Sequence, residues 1–224
     1  MIGHPRVHFR LTDSTNERAR ALAAAGAPHG TLVTADEQSA GRGRQGRTWS
    51  APPKSAVLMS VVLRQLSDTL PLAAAVAVCD ALPVEARIKW PNDVWIDGRK
   101  VAGILVEARP QEGWAVLGIG LNVTTGQFPA ELHATSLRLA GLSLTPAEAL
   151  ASLLGSLEAW LPRSAEQVLA AWRSRDALLG STVRWAGGSM EGVAAGVDDT
   201  GALIVDAPEG RVTLDAGEVH LSAG

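Results

Sequence analysis

A single cysteine, Cys79, in 224 residues leaves no internal disulfide to form, so the chain is not a stapled secreted scaffold and suits a reducing compartment. Long hydrophobic runs are missing too. The longest, roughly residues 70–82, is too short to span a bilayer and carries Asp80. The opening Met1-Ile2-Gly3-His4-Pro5-Arg6 has no apolar stretch of the signal-peptide kind, which predicts a cytoplasmic protein without a membrane partner. Charge of one sign is scarce: a formal net charge of −3 marks neither a general nucleic-acid binder nor a polybasic membrane anchor. The five histidines (His4, His8, His29, His133, His220) show no metal-ligand spacing, and no nucleophile is visibly paired with a base. Zinc and covalent-triad mechanisms therefore have no support.

Lysine and asparagine are rare in a way that informs. There are 17 Arg but only Lys54, Lys89 and Lys100, and 37 Ala but only Asn16, Asn92 and Asn122. Where composition has drifted so far, the surviving Lys and Asn are candidates for tasks that Arg or Asp cannot perform. The rest is ordinary: 46% apolar and 19% charged residues make a globular chain. Its length allows one large domain, or a medium one plus a small one, at about 150 residues each.

Ser14-Thr15-Asn16-Glu17 has capping-box spacing and predicts a helix that stops at Gly26 and Pro28. Residues 31–35 and 57–63 read as strands, with a Gly-, Arg- and Pro-bearing loop, 38–54, between them. A packed helix follows at 70–82, with Cys79 as core. Strands come next at 87–90, 94–96, 101–107 and 114–122, and Asp97-Gly98 signals a hairpin. Thr145-Pro146-Ala147-Glu148 opens a helix to about 162, and residues 164–167 open another to about 178. Short alternating strands then recur at 182–186, 191–197, 202–207 and 211–215. The predicted fold class is α+β: a mixed β-sheet flanked by helices over 1–178, then a small β-barrel over 179–224.

Gly41-Arg42-Gly43-Arg44-Gln45-Gly46 matches GxGxxG but is no dinucleotide fingerprint, because Pro52-Pro53 follows where a helix would have to start. Between residues 38 and 67 there is no acidic residue, while Arg42, Arg44, Arg47, Lys54 and Arg64 are present. Arg forks clasp phosphate in two-point contacts, and glycines let backbone approach a ligand. The same loop also reads as a solvated basic surface. In Lys89-Trp90-Pro91-Asn92-Asp93 the last two residues fit turn chemistry, whereas Lys89 at a strand end is a candidate point-charge contact for a carboxylate or phosphate. In Gly118-Ile119-Gly120-Leu121-Asn122-Val123 the glycines imply close approach by a ligand or another element. Asn122 fits an adenine edge or a turn equally well.

Together these segments resemble the biotin protein ligases. The matching pieces are Asp13-Ser14-Thr15-Asn16, Glu37-Gln38-Ser39-Ala40 with the glycine loop through Trp49, and Lys89-Trp90-Pro91-Asn92-Asp93. Lys100-Val101-Ala102-Gly103-Ile104-Leu105-Val106-Glu107 and Gly118 to Val123 complete them, in the family's order. The resemblance implies a class II aminoacyl-tRNA synthetase/biotin ligase-like sheet, an SH3-like tail, and the ligase-only class without a DNA-binding domain. It implies biotin, ATP and Mg2+ as substrates, a bound biotinyl-5′-adenylate, and a lysine of a biotin carboxyl carrier protein domain as acceptor. By resemblance Ser14, Thr15, Asn16 and Gln38 surround the ureido head, with Gly118 behind the bicycle. Arg42, Gly43 and Arg44 belong to a closing loop, Arg47 meets phosphates and Trp49 walls the pocket. Lys89 bridges biotin's carboxylate and the α-phosphate, and Asn122 contacts adenine. The family also suggests a homodimer built on an edge supplied by residues 100–122. A lipoate or octanoate ligase or transferase is the rival reading. A non-catalytic ligand- or nucleic-acid-binding module is the remote one.

Overall fold

The computed structural model describes residues 1–215, 217 and 219–221. Seven strands form one mixed sheet: β1 (Arg6–Phe9), β2 (Leu32–Ala35), β3 (Ala56–Leu63), β4 (Arg87–Lys89), β5 (Asp93–Ile96), β6 (Arg99–Arg109) and β7 (Trp114–Asn122). Their spatial order is β1-β2-β3-β7-β6-β5-β4, with β1 and β2 parallel and every other pair antiparallel. Asp97 and Gly98 both take positive φ, 48° and 73°, and turn β5 into β6 as their dipeptide predicts.

Successive side chains on a strand point to opposite faces, and that alternation divides the sheet into a core face and a site face. Val57, Met59, Val61 and Leu63 of β3, with Leu117, Ile119 and Leu121 of β7, join the main core. That core also holds the helices α2 (Leu70–Asp80), α3 (Pro146–Trp160) and α4 (Ala165–Arg173). The intervening residues face the other way. There α1 (Thr15–Ala24) packs Ala19 and Ala23 on Val33, Val62, Trp114 and Val116. Further along the same face stand Ser60, Gly118, Gly120, Asn122, Gly103 and Glu107, with Ser60 opposite Gly118 and Gly103 opposite Gly120. Buried Cys79 belongs to the core, and burial pushes its thiol up to about 12.

Past α4 a five-stranded antiparallel sheet is built from β8 (Thr182–Trp185), β9 (Met190–Val197), β10 (Leu203–Ala207), β11 (Gly210–Leu214) and β12 (His220–Leu221), ordered β11-β10-β9-β8-β12. It is tied to the large sheet by Trp90, whose indole N–H donates to the Gly201 carbonyl at 3.0 Å.

The structure adds to the sequence reading and corrects it in two places, the end of α4 and the cap of α1. β1 goes unread in the sequence, because its partner β2 lies more than twenty residues away and no hairpin turn announces the pairing. α4 ends at Arg173 rather than near 178, since the following residues hydrogen-bond to β4: Ile88 N–H to the Arg175 carbonyl, and Ala177 N–H to the Ile88 carbonyl. Ser14 occupies the N-cap position of α1 but makes no side-chain cap, so the capping box is not formed, and Glu17 instead meets Arg20 and Arg42. Residues 100–122 do leave part of an edge open: β5 pairs with β6 only from Arg99 to Gly103, so residues 105–109 of β6 pair on one side alone, with β7.

Candidate active site

A cavity of about 710 Å³ opens on the site face of the large sheet. It gathers the residues to which the family resemblance gives a role: Ser14, Thr15, Asn16, Gln38, Arg42, Gly43, Arg44, Arg47, Trp49, Lys89, Gly118 and Asn122. Its volume lies within the usual range for a small-molecule site.

One end is a buried polar nest at the N-terminus of α1. Asp13 Oδ1 accepts from Ser14 N–H at 2.7 Å, and this bond, with the Thr12 hydroxyl, holds the Asp13 carboxyl below the usual carboxylate range. Gln38 Oε1 accepts from Thr15 N–H at 2.7 Å, so the first turn of the helix is satisfied from across the cleft. The Ser14 side chain is thereby released from the cap that its spacing predicted. Asn16 donates through Nδ2 to Glu107 Oε2 at 2.9 Å, and Ser60 Oγ lies 2.6 Å from Asn16 Oδ1 and 2.9 Å from Thr15 Oγ1.

The strand glycines have a specific job. A Cβ on Gly118 would stand 2.0 Å from Asn16 Oδ1, and one on Gly120 would stand 2.3 Å from Trp49 Cε2. Gly103, opposite Gly120 on the next strand, would meet the same indole at 2.9 Å. The bare backbone therefore seats two side chains of the site, the Asn16 amide and the Trp49 ring, which act as the close-approaching element.

The other end is cationic. The loop that carries Trp49 doubles back as a narrow hairpin, with Trp49 N–H to the Gly41 carbonyl at 2.9 Å and Gly43 N–H to the Arg47 carbonyl at 2.7 Å. After Gly43 the chain makes only a three-residue 3-10 turn, Arg44–Gly46, with Gln45 at positive φ, and not the α-helix that a dinucleotide fingerprint needs. Arg44 reaches Asn92 Oδ1 at 3.5 Å, and Arg42 meets Glu17 at 3.0 Å. Two other cations of the sequence's basic stretch serve elsewhere. Arg64 donates to the Ala23 and Ala27 carbonyls at the end of α1, and Lys54 lies 4.0 Å from Asp36. Lys89 sits over the Trp95 ring at 5.7 Å. Asn122 is buried and spends Nδ2 on the Thr135 carbonyl at 3.0 Å.

The sequence reading gave no role to several residues that the fold brings here. Lys100 faces the cavity, held by Asp93 at 2.7 Å and 5.5 Å from the Trp49 ring. Its rarity was the available signal. Asn92 Nδ2 donates to the Ile104 carbonyl at 2.8 Å and so pins the turn to β6 rather than to itself. His220 and Leu221 of β12 contribute wall from the second sheet.

Comparison with known proteins gives the class first: this is a ligase fold. A biotin protein ligase from Aquifex aeolicus, solved in complex with biotin and ATP, superposes with a TM-score of 0.84 at 27% identity, covering 99% of this chain and 100% of that one. Residues 8–123 match the Biotin/lipoate A/B protein ligase family, and residues 179–222 match the Biotin protein ligase C terminal domain. The chain belongs to the biotin/lipoate A/B protein ligase family. It is 40% identical to a biotin--[acetyl-CoA-carboxylase] ligase of Mycobacterium tuberculosis, over 94% of this chain and 86% of that protein. The bifunctional ligase/repressor BirA of Bacillus subtilis is 34% identical over 99% of this chain and 75% of its own length.

Proposed function

We propose that this chain joins biotin, through a bound biotinyl-5′-adenylate, to a lysine of a biotin carboxyl carrier domain. One observation carries the reading: a single cavity holds a buried polar nest at one end and Arg42, Arg44, Arg47, Lys89 and Lys100 around the rest. A ureido head needs convergent donors and acceptors, which Ser14, Thr15, Asn16 and Gln38 supply. A fatty chain would need an apolar tunnel instead, so biotin is favoured over lipoate.

In the first step a biotin carboxylate oxygen attacks the α-phosphorus of ATP, the bond from that phosphorus to the α,β-bridging oxygen breaks and pyrophosphate leaves. Two anions converge, so fixed positive charge lowers the barrier. Lys89 would bridge the carboxylate and the α-phosphate, with Lys100, held by Asp93, lining the same cavity. Arg44 and Arg47 take phosphate oxygens, Arg42 and Gly43 close the loop, Trp49 walls the adenylate and Asn122 meets adenine. Among the described residues no group of three or more His, Cys, Asp or Glu could hold a metal. Mg2+ would enter on the phosphates of ATP. In the second step the carrier's lysine amine attacks the mixed anhydride at its carbonyl carbon, forming the amide, and AMP leaves.

Residues 1–178 would form the catalytic unit and 179–224 the C-terminal unit, acting in the cytoplasm without DNA. No helix of the described residues is long and apolar enough to cross a membrane. Biotin-dependent ATP–pyrophosphate exchange tests the reading, with lipoate as control. Exchange with biotin alone is expected, and none with biotin would overturn it.

A further inference from the structure

Glu107 lies outside the set of residues placed around the ligand, yet its carboxylate decides which way the polar nest is wired. Its Oε1 faces Arg20 at 3.4 Å and Arg42 at 3.8 Å, which leaves Oε2 for Asn16. A carboxylate only accepts, so Asn16 must turn Nδ2 toward it and Oδ1 toward Ser60.

The hydroxyls next door would favour the opposite. Three oxygen–oxygen contacts run in series: Asn16 Oδ1 to Ser60 Oγ at 2.6 Å, Ser60 Oγ to Thr15 Oγ1 at 2.9 Å, and Thr15 Oγ1 to Gln38 Oε1 at 3.0 Å. The two hydroxyls own one hydrogen each, so three contacts share two hydrogens. A reversed Asn16 would donate Nδ2–H to Ser60 and complete the series. Glu107 alone holds the amide against that preference. Gln38 Oε1 cannot yield either, because it already accepts from Thr15 N–H.

We propose that Glu107 is a positioning residue that selects a carbonyl-headed ligand. This rests on the reading of the cleft as a biotin site. With Asn16 fixed, its second Nδ2 hydrogen is presented to the ligand as a donor. Both hydroxyl hydrogens are already committed, so Thr15 offers only lone pairs. The nest therefore takes a carbonyl oxygen at Asn16 and an N–H at Thr15, which is the pattern of a cyclic urea.

The test compares biotin with 2-iminobiotin, in which the carbonyl oxygen is replaced by a nitrogen donor, in the exchange assay. Glu107→Gln keeps the shape but offers Asn16 either a donor or an acceptor, so the amide can reverse. The variant is expected to raise KM for biotin about tenfold with kcat and KM for ATP unchanged, and to shrink the preference for biotin over 2-iminobiotin about tenfold, the worth of one hydrogen bond. Ser60→Ala removes a hydroxyl but leaves Glu107, so it should keep the preference. An unchanged preference in Glu107→Gln, or a lost one in Ser60→Ala, overturns the inference. If Glu107→Gln fails to fold, Ser60→Ala decides alone. Failure of the biotin reading itself looks different: wild-type protein would give no biotin-dependent exchange at all.

Discussion

At the scale of single residues, Lys89 separates charge from placement. Arginine there keeps the positive charge but spreads it over a longer planar fork, which does not fit between two converging oxygens. Lys89→Arg should lower pyrophosphate exchange by roughly 10²-fold, comparable to losing one preorganised donor to a developing anion. Transfer from pre-made biotinyl-adenylate to a carrier should suffer less, because that step joins no two anions. Wild-type-like exchange would remove Lys89 from the site, and equal losses in both steps would remove its proposed role and shift attention to Lys100. The rarity of lysine and asparagine pointed to positions that the fold gathers: Lys89, Lys100, Asn16, Asn92 and Asn122 all line the cavity. Lys54 was the exception, paired with Asp36 away from the cavity. Glu107 and Ser60 were illegible for a physical reason. Their meeting with Asn16 depends on the pleat of three strands and on one helix, and no local pattern records that.

Among the elements, the loop over residues 38–53 is the one whose conformation an anion should change. Arg42, Arg44 and Arg47 repel one another, and its glycines lower the cost of opening. With saturating biotin and ATP, protease cleavage within it should slow markedly, and equal cleavage with and without ligand would count against closure. Helix boundaries were legible where capping is local. Thr145 with Glu148, and Ser164 with Gln167, both form complete capping boxes. The end of α4 was not, because tertiary pairing with β4 decides it. Asp176 in that junction offers another check. Burial raises its pKa above the ordinary 3.8, and Oδ2 is buried without a hydrogen-bond partner among the described residues. An acid raised on folding binds its proton more tightly in the native state, so its contribution is fully present below the ordinary value and is lost as pH rises through the native one. Asp176→Asn should therefore flatten the fall in stability on that side of pH 4, as read by thermal unfolding at several pH values.

For the whole molecule, two stretches of the large sheet are open to a second copy: β1, four residues bearing Arg6 and His8, and residues 105–109 of β6, which run beyond β5, whereas β4 already hydrogen-bonds to the chain after α4. A homodimer formed that way should appear as a concentration-dependent mass in the presence of biotin and ATP, and a constant monomer mass would refute it. The second sheet matters in another respect. Among the described residues it reaches the cavity through His220 and Leu221, while the other lining residues lie at or before Ala134. The core beneath that site also needs α4, which ends at Arg173, and from there a ribosome adding roughly 5–20 residues per second needs about 2–9 s to reach β12. During that interval the nascent chain already owns its polar nest, its lysines and its arginine loop, but not the wall that encloses them. Maturation of the pocket is thus timed by translation itself, and the newborn protein stays leaky to its ligands until synthesis has passed β12.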